Sequence, residues 1–156
     1  MTTSTPVQTA EKPALLNTFF RVLLGAALLF AGISHLTFAR QEFLAQVPTW
    51  LPLDGDLVVV ASGIVEIALG AALILAPRRF RPWVGWMAAL FFVLVFPGNI
   101  SQFVNRVNAF NLNSDESRFI RLFFQPVLVI WAIWATGAWG ALRRSWSRRS
   151  APTPTA

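Results

Sequence analysis

Four long apolar runs, separated by short polar or basic segments, make up most of this 156-residue chain. They cover residues 15–38, 56–76, 83–102 and 118–142. Each run reaches the roughly 20 residues that an α-helix needs to cross a hydrocarbon core of about 30 Å. Backbone groups must be paired within the segment in lipid, so runs of this length predict helices. The pattern therefore predicts an all-α membrane protein, a bundle of four transmembrane helices.

The segments outside the runs are polar and lack helical periodicity. Residues 1–14 and the basic residues 143–156 are predicted to be disordered tails on either side of a transmembrane domain at 15–142. Residues 40–55 have an apolar side and contain Pro48 and Pro52. This loop is predicted to be a short amphipathic or re-entrant piece at the interface. A cleaved signal peptide is the alternative for the first run, but its apolar character continues to Ala39, which favours a retained span.

Composition and charge support a membrane location. The chain is 55% hydrophobic and 13% charged, whereas soluble domains carry about 25% charged residues. The net charge of +6 lies at the ends of the runs rather than on one face, which argues against nucleic acid and for the lipid bilayer as partner. Nine basic residues fall on one side and four on the other, which places both termini in the cytoplasm. The nine are Lys12, Arg21, Arg78, Arg79, Arg81, Arg143, Arg144, Arg148 and Arg149; the four are Arg40, Arg106, Arg118 and Arg121.

Residue types that are missing restrict the chemistry. Cysteine is absent and His35 is the single histidine. The chain therefore has no disulfide, no thiolate centre and no covalently attached haem, and no metal site is predicted. Any redox centre would have to come from a ligand or a partner protein.

One carboxylate lies deep in the second run. Glu66 is ten residues from Asp56, or about 15 Å inward, near the bilayer midplane. An ionisable group there costs at least roughly 2.5–3.5 kcal/mol, so it normally has a partner or a function. The neighbouring positions Ser62, Gly63 and Gly70 share its helix face and permit close helix contact.

Polar residues of the other runs are predicted to gather around Glu66. Helical side chains tilt toward their own N-terminus, so the alternating directions of the spans bring His35, Asn99 and Gln125 toward its level. The stripes Asn99, Gln102, Arg106 and Arg118, Arg121, Gln125 would line a vestibule open to the outside, with Arg121 as a counter-charge for Glu66. In this interpretation Glu66 and His35 are catalytic groups that handle protons, while Asn99, Gln102, Arg121 and Gln125 bind the ligand.

Each of these residues also has a structural interpretation. Glu66 could be a buried acid that joins two helices, and Asn99 and Gln125 could be interhelical hydrogen-bonding residues. His35 could lie at the interface, and Arg118 and Arg121 could extend to lipid headgroups. Their convergence, rather than any one residue, favours a site.

Five segments in order resemble the DoxX-like family of small bacterial four-helix membrane proteins. They are GISH, VPTWLP, SGIVEIALG, FPGNI and RLFFQPVLVIWAIW, and the similarity covers residues 21–139. The recurring polar positions of that family would fall on His35, Glu66, Asn99, Arg121 and Gln125. The resemblance implies a multi-pass protein of the bacterial plasma membrane. Family members are linked to membrane oxidoreductase systems, including the quinone-side subunit of a thiosulfate:quinone oxidoreductase.

Three functions remain open at this point. The leading hypothesis is an outward-facing pocket for a quinone headgroup or a small anion, in a subunit of, or accessory to, a quinone-linked oxidoreductase. The absence of cysteine separates this chain from relatives that serve thiol chemistry. The alternatives are a small-solute transporter or channel, and a non-catalytic subunit that docks a soluble or membrane oxidoreductase partner. The apolar inner halves of the spans argue against a transport route.

Overall fold

The computed structural model describes residues 12–108 and 114–149, and this part of the chain is helical without strands. Its helices are α1 Lys12–Leu36, α2 Arg40–Leu44, α3 Gly55–Leu75, α4 Arg81–Val104, α5 Asp115–Thr136 and α6 Ala138–Arg149. By length and composition, α1, α3, α4 and α5 can each cross a membrane. The prediction of an all-α protein with four membrane-spanning helices is confirmed at this level.

The helix ends differ from the predicted bounds at several places. The fourth span was predicted to run to residue 142, but α5 ends at Thr136 because Gly137 takes the left-handed conformation, with φ 69°. Glycine adopts this conformation without steric cost, so it commonly terminates helices. The following helix α6 continues to Arg149, so residues 143–149 are helical where a disordered tail was predicted. Its alanine, leucine and arginine residues are good helix formers.

The predicted bounds of the N-terminal tail and of the first span also differ from the structure. Helix α1 begins at Lys12, inside the segment predicted to be disordered, and ends at Leu36 rather than at residue 38. The remainder of the two predicted tails, residues 1–11 and 150–156, lies outside the described residues.

Helices α1 and α3 form one closely packed pair. A Cβ atom at Gly32 would lie 2.6 Å from the carbonyl oxygen of Gly63, and one at Gly70 would lie 2.7 Å from that of Gly25. The two backbones are therefore in direct contact, as small residues permit between membrane helices. The guanidinium of Arg21 donates to the carbonyls of Leu73 and Ile74, where a cation is favoured at the C-terminus of α3.

Helices α4 and α5 form the second pair. Gly85 of α4 lies against Thr136 of α5, and the buried alanines Ala88 and Ala132 leave the two helices close together. The two pairs meet through an apolar core made of Leu24, Leu28, Leu73, Ala88, Ala89, Phe91, Phe92 and Ala132.

The bundle has two unlike ends. The end at which α1 begins also carries the α3–α4 turn and α6, with their arginines, and is called the basic end. The end at which α1 finishes carries α2 and is called the loop end. At the basic end α1 contacts α5 directly, since the indole Nε1 of Trp131 donates to the carbonyl of Phe20 at 3.0 Å and the two rings meet edge to face.

Helix α1 ends deeper in the bundle than the position at which α3 begins. It finishes one residue after His35, whereas α3 begins at Gly55, eleven residues or about 16 Å before Glu66. His35 and Glu66 are nevertheless in contact. The space beyond α1 is filled by residues 37–54, whose short helix α2 packs on α1 and α3. The loop therefore folds back against the bundle and covers what lies below it.

Candidate functional site

A cavity of about 440 Å³ lies between the two helix pairs, beneath α2. Its volume is within the roughly 300–1,000 Å³ typical of small-molecule sites. Six polar side chains from different elements line it: His35, Gln46, Glu66, Asn99, Arg121 and Gln125. The rest of its wall is apolar, contributed mainly by α1, α4 and α5.

The centre of the polar wall is a buried acid–base pair. His35 Nδ1 lies 2.8 Å from Glu66 Oε2, and both residues are only 7% exposed. The same nitrogen lies 2.9 Å from the carbonyl oxygen of Ala31. Two acceptors at one nitrogen require that it carries a proton. A single N–H cannot point at both oxygens, so Oε2 is left without a well-directed hydrogen bond.

The ring of His35 is held from its other side by the loop. Phe43 of α2 stacks on the imidazole with a centroid distance of 3.3 Å and an interplanar angle of 18°. With Nδ1 engaged and the ring plane fixed, the position of the pair is determined by three separate elements. Such support is what a proton-handling group needs to keep a defined geometry.

A second polar contact joins the loop to α5. The guanidinium of Arg121 donates to Gln46 Oε1 at 3.1 Å. Gln46 is 8% exposed, and its Nε2 has no hydrogen-bond partner among the described residues. A buried amide donor without a partner costs about 1–3 kcal/mol, so its presence beside a cavity needs an explanation.

The third polar contact lies within the α4–α5 pair. Asn99 Nδ2 donates to Gln125 Oε1 at 2.9 Å, and Gln125 Nε2 donates to the backbone carbonyl of Phe92. Both ends of the Gln125 amide are therefore bonded to α4. A hydrogen bond of this type between membrane helices is worth about 0.6 kcal/mol on average. These two residues contribute to helix packing as well as to the cavity wall.

The structure brings five of the six predicted site residues to one cavity. His35, Glu66, Asn99, Arg121 and Gln125 all line it, as the convergence argument predicted, although their roles stay predictions. The charge partner that the structure gives Glu66 is His35, where Arg121 had been predicted. The proposed counter-charge Arg121 instead reaches Gln46 on the loop.

Gln102 is placed differently from the prediction. It is 1% exposed and its amide donates to the carbonyl of Val107 at 3.5 Å, beyond the end of α4, so it is not a cavity residue. The stripe from Asn99 to Arg106 is broken because α4 ends at Val104 and Arg106 has a positive φ of 53°. Arg118 lies at the loop end, where it pairs with Asp115 at 2.7 Å.

Two of the cavity residues were not predicted from the sequence. Phe43 and Gln46 belong to the loop that was predicted to be interfacial, and no periodicity told which of its side chains face inward. The available signal was Gln46 itself, an amide within the apolar side formed by Phe43, Leu44 and Val47. A polar group in an apolar stripe that packs on a bundle points to a buried hydrogen bond.

A smaller cavity of about 210 Å³ adjoins the first on the side of α3 and α4. Both cavities are lined by His35, Phe43, Gln46 and Val95. The smaller cavity is otherwise lined mainly by apolar residues of the loop and of the flanking helix ends. It is below the usual range for a complete small-molecule site.

Formal charges at the larger cavity are balanced. Glu66 contributes a formal negative charge and Arg121 a formal positive charge. Within the described ranges, the histidine, aspartate and glutamate side chains form no group of three that could hold a metal ion. The arrangement supplies hydrogen-bond donors at Arg121 and Gln46 and a histidine–carboxylate pair at His35 and Glu66.

Comparison with known proteins gives a family. Residues 24–136 match the model of the family described as a domain of unknown function, DUF8561, and the chain belongs to this family. The matched range contains all six polar cavity residues and most of the four spanning helices. No curated protein and no solved structure matches the chain.

Proposed function

We propose that this chain is a DoxX-like multi-pass protein of the bacterial plasma membrane that binds the oxygen-bearing head of a small ligand, such as a quinone, in the cavity between its helix pairs. The observation that carries the proposal is the buried His35–Glu66 pair on the wall of a 440 Å³ cavity inside the spanning helices. Ionisable pairs at this depth are expensive and usually mark a site. In this role Glu66 and His35 exchange protons with the ligand.

The geometry favours a neutral head over an anion. Arg121 and Glu66 cancel formally, so an anion would bring an uncompensated charge into the cavity. A carbonyl oxygen, by contrast, would accept the unpartnered Nε2–H of Gln46 without adding charge. Arg121 and Asn99 stand beside the same space to orient such a head.

The membrane orientation is part of the proposal. Both termini are cytoplasmic because the basic end of the bundle carries the arginine excess, including Arg78, Arg79, Arg143 and Arg144. The loop end and the cavity then face the outer half of the bilayer. Electrons for any redox reaction come from the ligand or from a soluble or membrane oxidoreductase partner, since the chain has no cysteine.

The test uses matched variants of two acids. In detergent-solubilised protein, we expect Glu66→Gln to weaken binding of a decyl benzoquinone at least tenfold, or about 1.4 kcal/mol, because the pair loses its charge and its proton acceptor. The control Glu42→Gln changes an exposed acid of α2 in the same way and should bind like the wild type. Binding is measured by titration, and folding by thermal unfolding of each variant.

A second matched pair tests the donor role of the loop. Gln46→Leu should weaken binding of the same probe, whereas Gln41→Leu, at an exposed position of α2, should not. If folded Glu66→Gln and Gln46→Leu both bind as tightly as their controls, the cavity is not the binding site and the proposal fails.

The two alternatives lead to different observations. A channel needs a polar route to the basic end, but there the bundle is closed by Leu24, Leu73, Ala88 and the Phe20–Trp131 contact. Solute flux in proteoliposomes would overturn a one-sided pocket. A docking subunit predicts that variants at Arg118 or Arg121 abolish co-purification of a partner while no ligand binds.

A further inference from the structure

The larger cavity is itself amphiphilic along its length. Its polar residues lie toward the loop end, around the His35–Glu66 pair. Toward the middle of the bundle the wall of α1 is a stripe at i, i+3, i+4 and i+7 spacing: Leu24, Ala27, Leu28 and Ala31. Leu128 of α5 and Phe91 and Phe92 of α4 complete this apolar part. A ligand that fills the cavity therefore needs a polar and an apolar portion.

The apolar part of the cavity opens at the surface of the bundle. Ala27 lines the cavity and is exposed, and its helix neighbours Leu23 and Phe30 are exposed as well, so it lies at the edge between the cavity and the outer surface of α1. The direct contacts between α1 and α5 lie nearer the basic end, where Asn17 and Phe20 meet Trp131 and Trp134. Beyond these contacts the two helices are separated by the cavity.

The depth of this opening identifies what surrounds it. Ala27 is twelve residues after Leu15 and nine before Leu36, the ends of the span, or about 18 Å and 14 Å along the helix. It therefore lies near the middle of the hydrocarbon core. The neighbouring α1 residues Leu23 and Phe30 are exposed and apolar, as expected for a lipid-facing surface. A molecule that passes Ala27 comes from lipid rather than from water.

At the loop end, the described residues of α2 and its following turn cover the polar part of the cavity. Phe43 stacks on His35, and Gln46 is bonded to Arg121, so α2 and its following turn lie over the polar wall. The apolar stripe of α1 leads away from this cover and toward Ala27. The polar site and the lipid-facing opening belong to one continuous cavity. The apolar stripe between them therefore fits the tail of the same ligand.

We infer that the ligand is a membrane-dissolved amphiphile whose oxygen-bearing head meets Gln46, Arg121 and the His35–Glu66 pair, and whose apolar tail leaves the cavity beside Ala27, between α1 and α5. This inference rests on the proposed function and adds the class of ligand and its route. Because the tail passes from lipid into the cavity, its contribution to the affinity comes from close packing against the stripe.

The experiment compares two probes on two variants of adjacent residues. The probes are a methoxylated benzoquinone without a side chain and the same head with a decyl chain. Ala27→Trp blocks the opening, while Ala26→Trp places the same side chain at an exposed neighbour that does not line the cavity. Affinities are measured in detergent, and thermal unfolding reports whether each variant is folded. If Ala27→Trp does not fold, the smaller Ala27→Phe replaces it.

We expect the wild type and Ala26→Trp to bind the decyl probe at least tenfold more tightly than the chainless probe. Ala27→Trp should bring the ratio of the two affinities close to one. An unchanged decyl advantage in folded Ala27→Trp would overturn the route past Ala27. Equal binding of the two probes by the wild type would overturn the amphiphile but leave the head site standing, whereas no binding of either probe would overturn the proposed function too.

Discussion

Helix α1 has two neighbours that it meets in opposite ways. Against α3 its backbone is in contact at Gly25 and Gly32, where no side chain could be added. Against α4 and α5 the same helix borders a cavity of about 440 Å³, and it touches α5 directly near the basic end. The backbones of α1 and α3 are thus in direct contact, and the polar cavity lies between the two helix pairs.

The stability of the bundle and the binding of a ligand therefore depend on different contacts of α1. Glycines on facing helices give long, close contact, which holds membrane helices together when no hydrophobic driving force acts between them. Polar groups in the looser interface are buried but incompletely bonded, as Gln46 Nε2 and Glu66 Oε2 show. Substitutions in the glycine contact between α1 and α3, which we call the seam, should therefore affect folding. Substitutions at the cavity should affect binding.

The largest effect is expected from Gly70→Leu in the α1–α3 seam. Even a Cβ atom there would lie 2.7 Å from the carbonyl oxygen of Gly25 and 2.8 Å from the amide nitrogen of Leu29, both backbone atoms that cannot move aside. The cost should exceed the roughly 1–3 kcal/mol of ordinary overpacking. The measurement is the folded, monodisperse fraction after solubilisation.

Gly140→Leu is the control for the seam, since a Cβ atom at Gly140 meets only the flexible tip of Arg144, at 3.4 Å. It should leave the folded fraction near that of the wild type. Equal behaviour of the two leucine variants would contradict the seam as the origin of stability.

A smaller effect is expected when one member of the acid–base pair is removed. His35→Leu leaves the Glu66 carboxylate buried without its partner and should lower the free energy of unfolding by roughly 3 kcal/mol. The double variant His35→Leu with Glu66→Leu removes both charges and should recover most of this loss, although it should not bind a quinone probe. Thermal or denaturant unfolding of the four proteins in the cycle gives the coupling.

The pair would be purely structural if the double variant were as unstable as His35→Leu alone and still bound the probe. Recovery of stability together with loss of binding separates the two roles. This outcome would show that evolution could have filled the position with leucine, and that the pair is present for its chemistry.

Much of this arrangement could be predicted from the chain alone. Run lengths gave the four spans, and helix direction with side-chain tilt brought His35, Glu66, Asn99 and Gln125 to one level. Their common cavity agrees with that argument. The small residues beside Glu66 likewise anticipated the close contact at Gly63 and Gly70.

What could not be predicted depended on the path of irregular backbone. The loop after α1 determines that Gln46 reaches Arg121 and that Phe43 covers His35, and no periodic pattern encodes this path. The misplacement of Gln102 has a similar cause, since α4 ends two residues later and leaves its amide bonded to Val107. The end of α5, by contrast, could have been predicted from the sequence, because Gly137 follows an apolar run and glycine is common just after a helix.

The most direct test of the central claim, that the polar cavity holds a membrane amphiphile, is native mass spectrometry of gently solubilised protein. Wild type and Glu42→Gln should retain a co-purified small amphiphile of one mass, and Glu66→Gln and Ala27→Trp should have lost it. Identical bound species in all four proteins, or none in the folded wild type, would contradict the claim.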